Sequence, residues 1–241
     1  MLSIKNLSIS VPEKDILKDI NLDINGGEIH ALLGPNGIGK SSICKTLMGY
    51  PNYKTSGSVL FNNEELLNMS VEERALKGLY LVNQSPSEIE GVSNAEMLRI
   101  ALTNKTKEHI NIYEFNKELI NTCESLNFSK ENIHRDINVA MSGGEKKKNE
   151  LLHLWILKPS VIMLDEIDSG LDIDSLKIVL NSLKEYYDTY HPTIIIISHN
   201  TKVFNILKPN YVHIINNGII KTYNKDIINT IEKTGFLNIN E

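Results

Sequence analysis

Apolar and polar residues alternate from the first positions of the chain. Leu2-Ser3-Ile4-Lys5 reads as a strand, and residues 16–20 and 27–33 are further strand-like runs separated by Pro, Asn and Gly. A helix is expected to start near Lys40, and residues 58–61 and 79–82 are two more strand candidates. From about Pro86 to His134 the spacing turns helical, with residues 95–101 and 113–126 recurring near 3.6 positions. After Gly144 come a helix to about Leu157, a strand over 161–164 and a helix over about 173–187. A very apolar strand over 193–197, another helix and a strand over 211–215 follow. Strands alternating with helices in this second half imply an α/β class, with a parallel sheet covered on both faces. The longest apolar strings, such as 194–197, are strand-sized, far short of the ~18–20 residues that cross a bilayer. Residues 1–10 lack the charged and apolar regions of a secretion signal, so the expected location is cytoplasmic.

Composition narrows the partners more than the fold. The chain has 241 residues, 41% of them apolar, enough for one α/β domain carrying a side lobe. Its 25 Lys+Arg against 30 Asp+Glu give a formal charge of −5, which disfavours a nucleic-acid partner. Cys44 and Cys123 have no metal-ligand spacing and read as reduced, buried thiols. There is no low-complexity segment, long linker or evident repeat.

The strongest chemical signal is Gly34-Pro35-Asn36-Gly37-Ile38-Gly39-Lys40-Ser41, followed by Ser42, which fits the Gly-x4-Gly-Lys-Ser/Thr phosphate-binding loop. Three glycines in six residues let backbone amides turn inward around an oxyanion, where side chains would block them. Lys40 would place its charge near the β- and γ-phosphates, and Ser41 would ligate Mg²⁺. A strand precedes the loop and a helix can follow it, with its N-terminus facing the phosphates. Residues 161–164 then lead into Asp165-Glu166. At the carboxyl end of a parallel strand, Asp165 can reach the loop's metal, while Glu166, one residue on, can polarise water. Taken alone, a strand ending in an acidic turn is commonplace; beside a phosphate loop it gains meaning. Ser142-Gly143-Gly144 is a second helix start suited to an anion, with free amides and a hydroxyl, although an ordinary Ser-capped helix reads the same way.

In its order of motifs the chain resembles the ATP-binding-cassette (ABC) ATPases. Ser142-Gly143-Gly144-Glu145 is similar to their Leu-Ser-Gly-Gly-Gln signature, which caps ATP held by the partner subunit's loop. Gln84, after the strand 79–82, matches the loop glutamine that touches Mg²⁺. Ser169-Gly170-Leu171-Asp172 matches the loop that crosses the dimer, and His199 matches the histidine that contacts the γ-phosphate. On its own, a histidine at a strand end would be structural. The resemblance implies one ABC ATPase (P-loop NTPase) domain over 1–241, with a β-rich nucleotide-binding edge, a parallel core sheet and a helical lobe at about 86–145. It departs from the pattern at Val11, where an aromatic residue usually stacks on adenine, so modest nucleotide affinity is expected.

The runs 142–150 and 164–177, with Glu88-Ile89-Glu90-Gly91-Val92-Ser93-Asn94 and Lys208-Pro209-Asn210-Tyr211-Val212-His213, closely resemble the SufC-type ATPases of the Suf iron–sulfur cluster assembly machinery. Ile167 and Lys148 depart from that pattern without touching the hydrolytic groups. The resemblance implies ATP and Mg²⁺ as cofactors, a transient head-to-tail homodimer and SufB/SufD-like soluble scaffold subunits as partners. It implies no nucleic acid, no membrane insertion and no cluster on this chain, because two separated thiols cannot supply the usual four ligands. A membrane transporter's nucleotide-binding subunit would carry the same catalytic motifs and stays open as the alternative. Ribosome-associated relatives usually carry two cassettes and basic extensions, and this chain shows neither. Lys146, Lys147 and Lys148 read as a solvated helix face, and His153 and Trp155 as packing residues.

Overall fold

The computed structural model describes residues 1–216 and 218–234, so the expected domain limit at 241 lies outside the described residues. In chain order the strands are β1 (Leu2–Val11), β2 (Lys14–Ile24), β3 (Ile29–Leu33), β4 (Lys54–Phe61), β5 (Glu64–Glu65) and β6 (Leu79–Val82). They continue with β7 (Ile89–Ser93), β8 (Asp136–Ile137), β9 (Val161–Asp165), β10 (Thr193–Ile197), β11 (Tyr211–Asn216) and β12 (Ile219–Asn224). The helices are α1 (Lys40–Met48), α2 (Val71–Leu76), α3 (Asn94–Thr106), α4 (Ile112–Ser125), α5 (Gly143–Leu157), α6 (Ile173–Tyr190), α7 (Thr201–Leu207) and α8 (Ile227–Thr234). The chain forms two compact units, one of Met1–Leu81, Ser160–Glu166 and the chain from His191 onward, the other of Val82–Pro159 and Ile167–Tyr190. Among the described residues no helix is long and apolar enough to cross a membrane.

In the first unit, β1 pairs antiparallel with both β2 and β4, and the small sheet runs β2-β1-β4-β5. The larger sheet runs β12-β11-β3-β10-β9-β6, with β11, β3, β10 and β9 parallel and β12 antiparallel at the edge. Alternate residues of β1 and β2 (Leu7, Ile9, Ile20, Ile24) share one core with Leu32, Met163, Ile195 and Ile197 of the larger sheet. A one-residue slip of β1 would turn that apolar set to water, so the core fixes the register. All five residues of β10 are buried, which is why its sequence is a continuous apolar run and not an alternating one.

The helix α1 closes the same core with Ile43, Cys44 and Leu47. Its C-terminal carbonyls are met by Arg74 of α2, a residue only 4% exposed, whose Nη1 donates to Thr46 O at 2.7 Å and Leu47 O at 3.0 Å. A cation here satisfies orphan carbonyls at the negative end of the helix dipole. Gly49 follows with φ 89°, where a Cβ would lie 3.0 Å from the guanidinium carbon. Helix α2 was not among the expected elements, although Ser70 and Glu73 form a reciprocal capping box at its start.

The second unit holds α3 to α6. Trp155 of α5 donates from Nε1 to Ser182 Oγ at 2.8 Å and meets the Tyr186 ring edge-on. The expectation of an all-helical stretch over 86–134 needs one correction. β7 lies inside it and pairs with β8, Ile89 opposite Ile137 and Ser93 opposite Asp136. Gly91, at φ 78°, and its N–H bond to Asp136 Oδ2 at 2.8 Å turn this strand. Local periodicity cannot show a partner so far along the chain.

Three histidines are buried as neutral rings. His30 Nε2 meets Glu28 Oε2 at 3.0 Å, His30 Nδ1 meets His213 Nε2 at 2.8 Å, and His213 Nδ1 meets Thr222 Oγ1 at 2.9 Å. A carboxylate only accepts, so His30 donates to Glu28, His213 donates to His30, and Thr222 donates to His213. Burial lowers the pKa of His30 against the pull of Glu28, and burial first and His30 second push His213 down to about 3. Burial alone pushes His153 down to about 4. Below pH 6.5 the unfolded chain takes up protons that these rings refuse, so the stability is present above 6.5 and is lost as the pH falls towards 4. His153 and His213 each contribute a slope of about 1.4 kcal/mol per pH unit in that window. In denaturant unfolding between pH 7.5 and 4.5, His153→Gln should flatten the dependence by one such slope; an unchanged slope would contradict a neutral His153.

Candidate functional site

The first unit gathers the loop and both carboxylates. Strand β3 delivers Gly34, whose φ of 149° and position leave a Cβ only 2.5 Å from Ile215 O, so only glycine lets the loop begin beside β11. Gly37 and Gly39 also have positive φ, at 76° and 108°. Pro35, Asn36 and Gly37 are exposed, while Ile38 and Gly39 are half-buried. Gly39 caps α1 without a side chain, whereas α2, α3, α4, α5 and α7 carry Ser or Asn side-chain caps. The positive end of α1 is therefore left to the loop, as anion binding requires.

Lys40 is 5% exposed, and its Nζ donates to Gly34 O at 2.8 Å and Pro35 O at 3.0 Å. Burial lowers its pKa, while the charges of Glu166 and Asp165 raise it. Ser41 Oγ donates to Asp165 Oδ1 at 2.7 Å, bringing together two residues expected at one metal, and Ser42 follows half-buried on α1. A hydroxyl and a buried carboxylate in contact are two hard oxygen donors beside a phosphate loop, a set that fits Mg²⁺. Glu166 sits at φ 47°, left-handed for a residue with a side chain, and its N–H donates to Ile197 O at 2.9 Å. Two positions beyond Ile197, His199 is exposed, and Asn200 caps α7 by accepting from Lys202 N at 3.0 Å. Val11, in place of the stacking aromatic, ends β1 half-buried.

In the second unit Gln84 is exposed just after β6. Ser142 caps α5 in a reciprocal box with Glu145: its N–H donates to Glu145 Oε2 at 2.9 Å, and its Oγ accepts from Glu145 N at 3.3 Å. The expected free hydroxyl and amides are thus partly taken up by the neighbouring carboxylate, which these bonds hold below the usual carboxylate range. Gly143 is exposed and Gly144 half-buried; a Cβ on them would meet Gly170 O and Ser175 Oγ, each at 3.4 Å. The signature start and the 169–172 loop are therefore neighbours, and Asp172 caps α6 through Ser175 N at 2.8 Å.

The expected solvated lysine face is not what the structure holds. Lys147 is 2% exposed and donates to Asn83 O at 2.5 Å, while Lys148 donates to Asn127 O at 2.8 Å and Lys146 pairs with Glu88 at 2.7 Å. A helix presents consecutive residues to different neighbours, so three lysines in a row find three partners. Sequence reasoning also passed over Arg74, whose only local signal is its place in a short helix opened by a capping box. Both thiols are inert: burial raises the pKa of Cys44, and pushes Cys123 up to about 11.

The family model for ABC transporters matches residues 17–169, more than half of the chain. The chain is 41% identical over 250 residues to a "probable ATP-dependent transporter ycf16" of Cyanophora paradoxa, covering 100% of this chain and 95% of that one. To the "probable ATP-dependent transporter SufC" of Escherichia coli it is 38% identical over 242 residues, covering 98% and 97%. The fold matches the dimeric ATP-binding cassette MJ0796 in a post-hydrolysis state bound to ADP and Pi, with a TM-score of 0.79 at 19% identity, over 93% of this chain and 99% of that one. With a phosphate loop, a strand-end carboxylate pair, the matching family model and full-length relatives, the chain belongs to the ABC transporter family and is an ATP-hydrolysing ATP-binding cassette.

Proposed function

We propose that this cassette powers iron–sulfur cluster assembly on a soluble SufB/SufD-like scaffold, in the manner its likeness to SufC suggests. The observation that carries the reading is the full-length similarity to the E. coli protein of that name. The chemistry is in-line attack of water on the γ-phosphate of ATP. Residues 34–42 cradle the phosphates, and Lys40 exchanges its two carbonyl partners for β- and γ-phosphate oxygens. Ser41, Asp165 and Gln84 would hold a Mg²⁺, which when bound would supply positive charge against that developing on those oxygens. Glu166 accepts a hydrogen bond from the attacking water and polarises it, and His199 contacts the γ-phosphate. Ser142, Gly143 and Gly144 act in trans, capping the nucleotide of a second copy in a transient head-to-tail pair. ATP favours the closed pair and hydrolysis releases it, so attached subunits feel the cycle. The protein would work in the cytoplasm, with docked partners on the segment 84–100, where Gln84, Glu88, Ile89 and Glu90 are exposed.

Lys40→Ala should cost at least ~100-fold in turnover, the scale of losing one preorganised charge stabiliser. Steady-state phosphate release from a folded variant decides it, and near-normal turnover would remove the loop from catalysis. Glu166→Gln should keep ATP affinity while slowing hydrolysis by about 10²–10⁴-fold, because an amide cannot polarise water as a carboxylate does. Light scattering with Mg·ATP should then show the pair accumulating.

Glu88→Lys with Glu90→Lys should release SufB/SufD-like subunits in co-purification while leaving ATP binding intact. An undisturbed complex would put the interface elsewhere. Native recovery chiefly with an integral membrane subunit would favour the transporter role that the relatives' printed names carry.

A further inference from the structure

Helix α5, which starts at the Ser142 cap, grips the segment after β6 through a buried network of amides. Asn149 is fully buried, and its Nδ2 donates to Asn94 Oδ1 and Asn138 Oδ1, each at 3.0 Å. Asn94, also fully buried at the start of α3, accepts at the same oxygen from His153 Nε2 at 2.7 Å. Its own Nδ2 donates to Asn132 O at 2.8 Å, and Asn138 Nδ2 donates to Ser87 O at 2.9 Å. Backbone and side chain of the segment are thus held from Ser87 to Asn94. Lys147 on Asn83 O and Lys146 on Glu88 extend the hold along the same helix.

Packing alone does not call for these groups. Asn149 Oδ1 and Asn132 Nδ2 are buried without a hydrogen-bond partner, a cost that an apolar side chain at either position would avoid. What directional bonds provide, and sliding apolar contacts do not, is one fixed arrangement of the groups they join. We propose that Asn149 is a positioning residue whose amide hub makes the segment 83–94 and the signature helix move as one body, so that a partner docked on that segment shifts Ser142, Gly143 and Gly144. The bond from His153 completes the hub.

This inference rests on the docking reading given above, and the test separates the two. Asn149→Leu keeps the bulk and removes both donated bonds. ATP turnover is measured for the full chain alone and in complex with co-purified SufB/SufD-like subunits, with Mg·ATP affinity as the control. The ratio of bound to free turnover should fall about 10-fold, within the range of coupling carried by such networks, while affinity stays within about twofold, as additivity of distant sites allows. His153→Leu should do the same, and His153→Gln, which keeps an N–H donor, should retain the wild-type ratio. An unchanged ratio in Asn149→Leu overturns the proposal, as does a His153→Gln that loses as much as His153→Leu; the histidine pair decides alone if Asn149→Leu does not fold. If the wild-type chain neither binds nor responds to those subunits, the docking reading fails, and amide exchange on the free chain decides the coupling. Exchange in Asn149→Leu or His153→Leu should then quicken together in 83–94 and 142–148; quickening in one segment only overturns it.

Discussion

The hydrogen bond from Ser41 Oγ to Asp165 Oδ1 joins residues 124 positions apart, and the candidate site is organised around it. It exists because β3 and β9 run parallel on either side of β10, so the chain leaves both strands at one edge of the sheet. Two strand spacings separate them, roughly 9–10 Å, a gap that a serine in the first turn of α1 and an aspartate at a strand end can close. Everything that holds β10 in place, above all its five buried residues, therefore also holds Ser41 and Asp165 together. Arg74 steadies the other end of α1 through the Thr46 and Leu47 carbonyls, and ties it to the Leu67 and Met69 carbonyls ahead of α2.

Gly34 and Glu166 of the candidate site have positive φ, as do residues elsewhere along the chain. Gly34 is required by the close approach of Ile215 O, and no rotamer of another residue would relieve a contact made by Cβ itself. Glu166 has no such excuse: it is an L residue in the left-handed region, at about 1–2 kcal/mol. Its amide bond to Ile197 O returns about 0.5–1.5 kcal/mol of that. It also ties the end of β9 to the end of β10, two residues before His199.

The parts of this molecule legible from sequence are those whose physics is local. The helix start at Lys40 and the strand Thr193 to Ile197 were placed correctly because a glycine-rich loop and an unbroken apolar run mark their own limits. The phosphate loop was legible for the same reason, since its glycines and lysine are consecutive. What sequence could not show was anything decided by distant partners. β7 is a strand only because Ile137 lies opposite Ile89. Lys147 reads as a surface charge until Asn83 O is found at its tip. Ser142 is the ordinary helix cap that the sequence also allowed, and its hydroxyl is engaged by Glu145, an acid three positions on.

Chain connectivity gives these distant partners their meaning. The covalent path passes between the two units four times: after Leu81, Pro159, Glu166 and Tyr190. Gln84 comes three residues after the first passage, and Glu166 is the last residue before the third. Apolar packing among α3, α4 and α5 supplies cohesion without fixing which arrangement is adopted. Buried amides, each with a single partner geometry, fix it, and this is the physical reason a core would retain asparagines where leucines would be more stable.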